Sequence, residues 1–296
     1  LAAGPAAAAR PKAAPSPKEP FGYCLNTSTL QGQKLDLAEL VEVVSKAGYQ
    51  AIEPWLFELE QYAQKGNSLR HLGQRIRDRG LTVASAIAFT EWAVDDPQRR
   101  RKALEQTRRA MDLVGQLGGR RIAAPPAGAT AAPGLDLRRV AERYRALLKL
   151  GDKAGVVPQV EVWGFSHTLT RLGEAALVAM ESGHPKACIL ADVFHLYKGG
   201  SSFGGVRLLS GRAMHVLHFN DYPARPPRNS VKDAHRVYPG DGVAPLGPLV
   251  RDLRHIGFGG VLSLELFNPE YWKQDALTVA RTGLAKMRAA VRAALG

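Results

Sequence analysis

A single-domain (β/α)8 barrel of the α/β class is the fold this chain predicts, and three observations predict it. Short apolar runs rich in Val, Ile, Leu and Ala alternate with helical segments along most of the 296 residues, as parallel strands joined by crossover helices do. Four of these runs, VVPQVEVWG, KACILADVF, AMHVLHFND and GVLSLELFN, stop at an acid or an imidazole: Glu161, Asp192, His218 and Glu265. The intervals between the four, 31, 26 and 47 residues, fit a barrel, because one of roughly 250 residues repeats a strand about every 31. The longest interval takes one repeat plus a loop rich in Pro, Gly, Arg and Asp, from about Asp221 to Pro245.

Strand one is read at Phe21 to Asn26, and the helix near Asp36 to Lys46 is capped by Asp36 and ended by Gly48. Gln50 to Trp55 reads as strand two. Asn67 is expected to cap a helix running to Arg79, which Gly80 stops before strand three at Leu81 to Ala88. After the segment FTEWAVDD, a long helix from Gln98 to Leu117 carries Ala103, Leu104, Ala110, Met111 and Val114 at helical spacing and ends at Gly118 and Gly119. Strand four is Arg121 to Ala124, and the helix Leu137 to Ala154 leads to strand five at Pro158 to Val162. Arg171 to Glu181 leads to strand six at Ala187 to Asp192, and the sixth helix is a short one, Phe203 to Ser210. Strand seven at Met214 to Phe219, a helix near Leu246 to His255, strand eight at Gly260 to Leu266 and a final helix from about Trp272 to Ala293 complete the ring.

Apolar residues make up 45% of the chain, enough for a sizeable core in residues 21–296, and no run of 18 apolar residues is present to span a membrane. Lysine and arginine number 40 against 27 acids. They are dispersed along helices without interleaved aromatics, so a solvated helix face accounts for them and nucleic acid is not the expected partner. Cys24 and Cys188 fall in strands one and six, too far apart around a barrel to pair, and read as buried small hydrophobes. Residues 1–20 are rich in Ala and Pro without a periodic apolar face and are expected to be disordered. The same opening looks like the remnant of a trimmed export signal. That reading places the protein outside the cytoplasm or in a periplasm; a plain disordered tail leaves it cytoplasmic. Homo-oligomerisation is left open.

Groups at the C-terminal ends of barrel strands converge on one mouth. Three carboxylates and an imidazole there form an oxygen-dominated site for one divalent metal, with Mn²⁺ expected first and Mg²⁺ or Co²⁺ as alternatives. Such a metal can stabilise a developing enediolate while a glutamate takes a proton from a carbon beside a carbonyl. Glu161 and Glu265, on strands nearly half a ring apart, are the expected acid and base, approaching a small sugar from opposite faces. His195, three residues past Asp192, is a candidate contact to a substrate oxygen. Arg236 in DAHRVYPGDG could cross the mouth, Lys198 beside Gly199 and Gly200 could bind an anion, and Glu91 with Trp92 could offer a polar contact and a stacking face. Glu53, closing strand two, is placed to order a metal-bound imidazole.

The segments EVWG, DVFH, HFND and SLELF, with the PGDG turn after the histidine, resemble the xylose isomerase-like TIM barrels, the sugar phosphate isomerase and epimerase superfamily that includes D-tagatose 3-epimerases and inosose dehydratases. The resemblance runs from about Phe21 to Leu295. It implies Glu161, Asp192, His218 and Glu265 as metal ligands, Glu161 and Glu265 as the acid–base pair, and His195 as a substrate contact. It implies a sugar isomerase or epimerase acting on a small keto-sugar through an enediolate. Related dehydratases use the same kind of site for β-elimination, and VWGFSH after Glu161 departs from the Pro, Leu, Asn, Glu run usual in the epimerases. Two other classes share the barrel. An apurinic endonuclease would need histidines at the ends of strands three and four, where AFTEW and IAAPP stand, and a non-catalytic carbohydrate-binding barrel would be expected to have lost a ligand.

Overall fold

The computed structural model describes residues 19–131 and 134–296; most of the expected N-terminal tail lies outside them. Eight parallel strands form one sheet: β1 Gly22–Asn26, β2 Ala51–Glu53, β3 Thr82–Val83, β4 Arg121–Ala124, β5 Val157–Glu161, β6 Ile189–Asp192, β7 Met214–His218 and β8 Val261–Leu264. Their order is β3-β2-β1-β8-β7-β6-β5-β4, all pairs parallel. The two ends of that order meet where Ala123 N donates to Ala86 O, 2.8 Å, so a single backbone bond spans the seam of the barrel.

Around the strands lie α1 Leu37–Ala47, α2 Leu56–Gln64, α3 Leu69–Asp78, α4 Pro97–Leu117, α5 Leu137–Ala154, α6 Leu172–Glu181, α7 Val193–Lys198, α8 Leu246–His255, α9 Pro269–Trp272 and α10 Ala276–Leu295. Asp36 caps α1 with a full capping box, and Gly48 ends it at φ 94°. The cap of α3 is Ser68, which accepts from His71 N, and not Asn67. Helix α2 was not expected, because its sequence LFELEQYAQ buries only Leu59 and carries little apolar periodicity. The closing helix is broken after Trp272, where Asp275 caps a new start by accepting from Thr278 N. Strand three is shorter than expected: past Val83 the chain leaves the ladder, touching β2's extension again only at the Trp55–Ile87 bridge. No helix among the described residues is long and apolar enough to cross a membrane.

Inside the barrel the strands stack in layers with period two. Small and medium side chains, Cys24, Ala51, Ala84, Ala123, Leu190 and Val216, fill the middle. Cys24 and Cys188 are both buried free thiols. Two residues further along the inward face, the same strands present Asn26, Glu53, Asp192 and His218. Polarity is thus concentrated at the C-terminal mouth.

Candidate metal centre and active site

Asp192, His218 and Glu265 bring one ligand atom each to within 4.8 Å of one another, all three residues buried. The atom each turns to the cluster is selected by the hydrogen bonds of its others. Asp192 Oδ1 caps α7 by accepting from His195 N at 3.0 Å and also accepts from Asn220 Nδ2 at 3.2 Å, which leaves Oδ2 facing inward. Glu265 Oε1 accepts from Asn26 Nδ2 at 3.1 Å, leaving Oε2. Glu53 Oε2 faces His218 Nε2 at 3.1 Å and accepts from Ser263 Oγ at 2.7 Å and Asn26 Nδ2 at 3.1 Å. The Nε2 proton of His218 is thereby fixed and Nδ1 is turned to the cluster, 3.1 Å from Glu265 Oε2 and 3.4 Å from Asp192 Oδ2.

That Nδ1 forms no hydrogen bond of acceptable geometry, and neither does the buried Oε2 of Glu161. Buried polar atoms without partners are rare. Two of them beside an oxygen-rich cluster fit a divalent cation, which satisfies lone pairs without a donor's directionality. Glu161 lies outside the tight triad but lines the same cavity as Glu265, His195 and Arg236. Burial, reinforced by Glu265 and Asp192, raises the Glu161 carboxyl to about 8, against the pull of His218. Burial likewise raises Glu265. Burial works against charge on Asp192 too, yet Arg236, His195 and His218 hold it well below the usual carboxylate range. For His218, burial opposes the charged form but Glu265 and Glu53 outweigh it, so the imidazole is raised well above its ordinary value.

Arg236 reaches the centre of the mouth. Its guanidinium is 1% exposed, with Nη1 2.6 Å from Asp192 Oδ2 and 2.9 Å from Glu265 Oε2, and Nη2 2.6 Å from Asp233 Oδ1. Phe194 and Phe267 flank it, 4.6 and 5.1 Å from the guanidinium carbon. The loop that delivers it is tied by Asp221, whose carboxylate accepts from the amides of Tyr222, Gly240, Gly242 and Ala244. A Cβ at Gly242 would collide with that carboxylate, and Gly240 sits at φ 90°, so the PGDG turn needs both glycines.

His195 Nε2 lies 3.2 Å from Arg236 Nη2. Arginine can only donate, so Nε2 accepts and the proton of the neutral ring belongs to Nδ1. Burial, with Arg236 adding to it, lowers this imidazole to about 4, and its Nδ1 is buried without a partner. A donor is therefore available beside the cavity.

Three sequence candidates are placed elsewhere. Glu91 pairs with Arg99 at 2.6 Å on the surface. Trp92 is buried against Tyr144 and donates its indole N–H to Pro125 O at 2.8 Å. Lys198 donates to the carbonyls of Arg228 and Asn229 at 3.0 and 2.9 Å, and lies over the Phe165 ring. None of the three lines the cavity around Glu161. Two local features account for these positions: the FTEW segment turns away from the barrel axis after Phe89, and Lys198 ends a helix that leaves the mouth.

The aromatic wall was missed. Trp55, Phe89, Trp163 and Phe267 line the cavity of about 130 Å³, with ring centroids 5.5 to 5.8 Å apart for the pairs Trp55–Phe89, Phe89–Trp163 and Trp55–Phe267. Trp55, Trp163 and Phe267 lie two to three residues beyond β2, β5 and β8, the one signal that could have found them, whereas Phe89 lies six beyond β3.

Residues 41–290 match the sequence profile of the xylose isomerase-like TIM barrels. The chain belongs to that family. An inosose isomerase of Bacillus licheniformis is 28% identical over 264 residues, covering 88% of this chain and 94% of the relative. A 3-dehydroshikimate dehydratase of Pseudomonas putida is 22% identical over 252 residues, 85% of this chain and 39% of that protein. Among solved structures, the IolI protein with a zinc atom superimposes with a TM-score of 0.84 at 22% identity, over 92% of this chain and all but 1% of that one (99%). The xylose isomerase-like barrel is an enzyme of the isomerase kind, with dehydratases among its relatives.

Proposed function

We propose that the protein is a divalent-metal-dependent isomerase of a small polyhydroxy ketone, with a cyclic, inosose-type substrate as the first choice. The observation that carries this reading is the unpartnered Oε2 of Glu161 in a cavity shared with Glu265, beside the Asp192, His218 and Glu265 cluster. Those three residues, joined by Glu161, would hold the cation; a donor set of three carboxylates and one imidazole suits Mn²⁺ first, and zinc is the ion of the IolI structure. When bound, a dication supplies Lewis-acid stabilisation of negative charge on a substrate oxygen.

The chain's own groups then divide the work. Strands β5 and β8 are separated by β6 and β7 in the sheet, so Glu161 and Glu265 address a bound ring from different sides. One carboxylate removes the proton beside the carbonyl, giving an enediol-type intermediate, and the other returns a proton to the neighbouring carbon. The Nδ1–H of His195 donates to a substrate oxygen, and Arg236 offsets the charge of Asp192 and Glu265. The small cavity excludes large ligands, and its aromatic faces suit the C–H face of a compact ring. Dehydration is the second reading, favoured by the dehydratases among the relatives: the same proton removal followed by loss of a β-hydroxyl.

Proton exchange from D₂O into inososes and ketoses, followed by NMR with Mn²⁺-loaded protein after metal removal, tests both. Exchange is expected to need metal and to fall about 10²- to 10⁴-fold in Glu161→Gln and in Glu265→Gln. Exchange at the wild-type rate in either variant refutes the assigned pair, and an unsaturated product selects the dehydratase.

A further inference from the structure

The opposite end of the barrel holds a second cavity of about 410 Å³, and its charge is anomalous. Arg121, two residues before the inward-facing Ala123, takes the inward parity of β4 at the N-terminal mouth. Arg77, Arg120 and His215 line the same cavity, and among the described residues no acidic side chain does. The Nε of Arg121 is buried and, among the described residues, has no hydrogen-bond partner. Burial and the neighbouring Arg120 push its pKa down, and burial together with Arg121 pushes His215 down to about 4. The groups facing these two are thus arginines and the Cys188 thiol, whose own pKa burial raises.

This end of such a barrel ordinarily serves stability alone. A partly buried guanidinium without a counter-charge does the reverse, since it loses water and gains nothing for it. Residues 1–18 cannot supply the charge, because they contain Arg10, Lys12 and Lys18 and no acid. A planar fork of N–H donors is matched by carboxylate or phosphate oxygens, which it binds in pairs. The cavity is larger than the one at the catalytic mouth, about 410 against about 130 Å³, so it admits more than a single tetrahedral ion.

We propose that the N-terminal mouth of the barrel, built by Arg121 with Arg77, Arg120 and His215, is a binding site for a small multivalent oxyanion, a phosphate ester or a polycarboxylate. It lies across the full barrel from the metal centre. Its occupant is an effector or stabilising ligand, distinct from the substrate.

Calorimetric titration at pH 7 with tripolyphosphate and, separately, with citrate, each against NaCl of matched ionic strength, tests it. One or both anions are expected to bind saturably, and the His215 imidazole resonance, identified by its loss in His215→Gln, is expected to titrate at higher pH when the anion is present. Arg121→Gln should weaken binding at least about tenfold, the loss of one charge-assisted contact. Arg70→Gln removes the same charge from an exposed site on α3 and should change affinity less than about twofold, as a screened charge does. Should Arg121→Gln fail to fold, Arg120→Gln and the wild-type His215 titration carry the test. Preference for tripolyphosphate identifies the phosphate-ester class and preference for citrate the polycarboxylate class. Equal weakening by Arg70→Gln and Arg121→Gln, an unmoved His215 resonance, or no binding of either anion overturns the proposal.

Discussion

Arg236 and a divalent cation compete for the same lone pairs, and Arg236→Met exposes that competition. The guanidinium contacts Asp192 Oδ2 and Glu265 Oε2 at 2.6 and 2.9 Å, the two oxygens that converge with His218 Nδ1. Removing it leaves Asp192, Glu265 and Glu161 buried with His218 as the remaining nearby cation. Breaking a buried pair in this way costs about 3–5 kcal/mol. For a chain of this size each kcal/mol moves the melting temperature by about 2–4 °C, so the metal-stripped variant should melt about 6–20 °C below wild type. Metal restores the missing charge: at a free concentration of about 1,000 times Kd it adds about 4 kcal/mol to the folded state. Wild type must first give up two Arg236 contacts, and the variant need not. The variant should therefore bind Mn²⁺ more tightly, by about tenfold if freeing the two oxygens costs about 1.4 kcal/mol. Scanning calorimetry in EDTA and across a MnCl₂ series measures both quantities. A stripped variant as stable as wild type, or an equal metal-induced rise in the two proteins, would refute the reasoning.

Glu53→Gln keeps the shape of the residue that fixes His218 Nε2 but not its charge, and should weaken metal binding about 10- to 100-fold, read by competition with a chromophoric chelator. Glu58 is raised to about 7, chiefly by burial, although it accepts from Thr27 Oγ1 and Trp55 N. Its folded pKa exceeds the unfolded one, so its contribution is fully present below about pH 4.5 and is lost as pH rises to about 7. Glu58→Gln should accordingly be more stable than wild type by about 3 kcal/mol at pH 8 and no more stable at pH 4, with urea melts at the two pH values as the check; a pH-independent difference contradicts it. Trp163→Leu removes part of the aromatic wall without touching a ligand, and steady-state kinetics should show KM rising about tenfold with kcat changed less, as expected for lost ring contact.

The convergence of Asp192, His218 and Glu265 was legible because strands carry it. Period two on a parallel strand forces Asp192 inward once Leu190 is in the core, and His218 inward once Val216 is, so an acid or imidazole ending an apolar run has one direction to point. Glu53 follows from Ala51 by the same step. Loop residues obey no such rule. Arg236 enters the site because Asp221, 15 residues earlier in the chain, gathers four amides of the loop, and the sequence offers only a PGDG turn as a sign of it. Glu91 and Trp92 lie away from the cavity for the converse reason: they follow the expected end of strand three at Ala88, but the backbone has left the ladder by Phe89 and their partners are Arg99 and Pro125. Arg121 is the instructive case. Its parity with Ala123 marks it as inward-facing from the sequence, and an arginine opening a strand is easily read as a solvated end. Only the closed ring reveals that the inward face at that level is confined, with no acid to meet it. Strand periodicity therefore specifies which way a charge points at both mouths, while the compensation of that charge depends on neighbours brought round by the whole barrel.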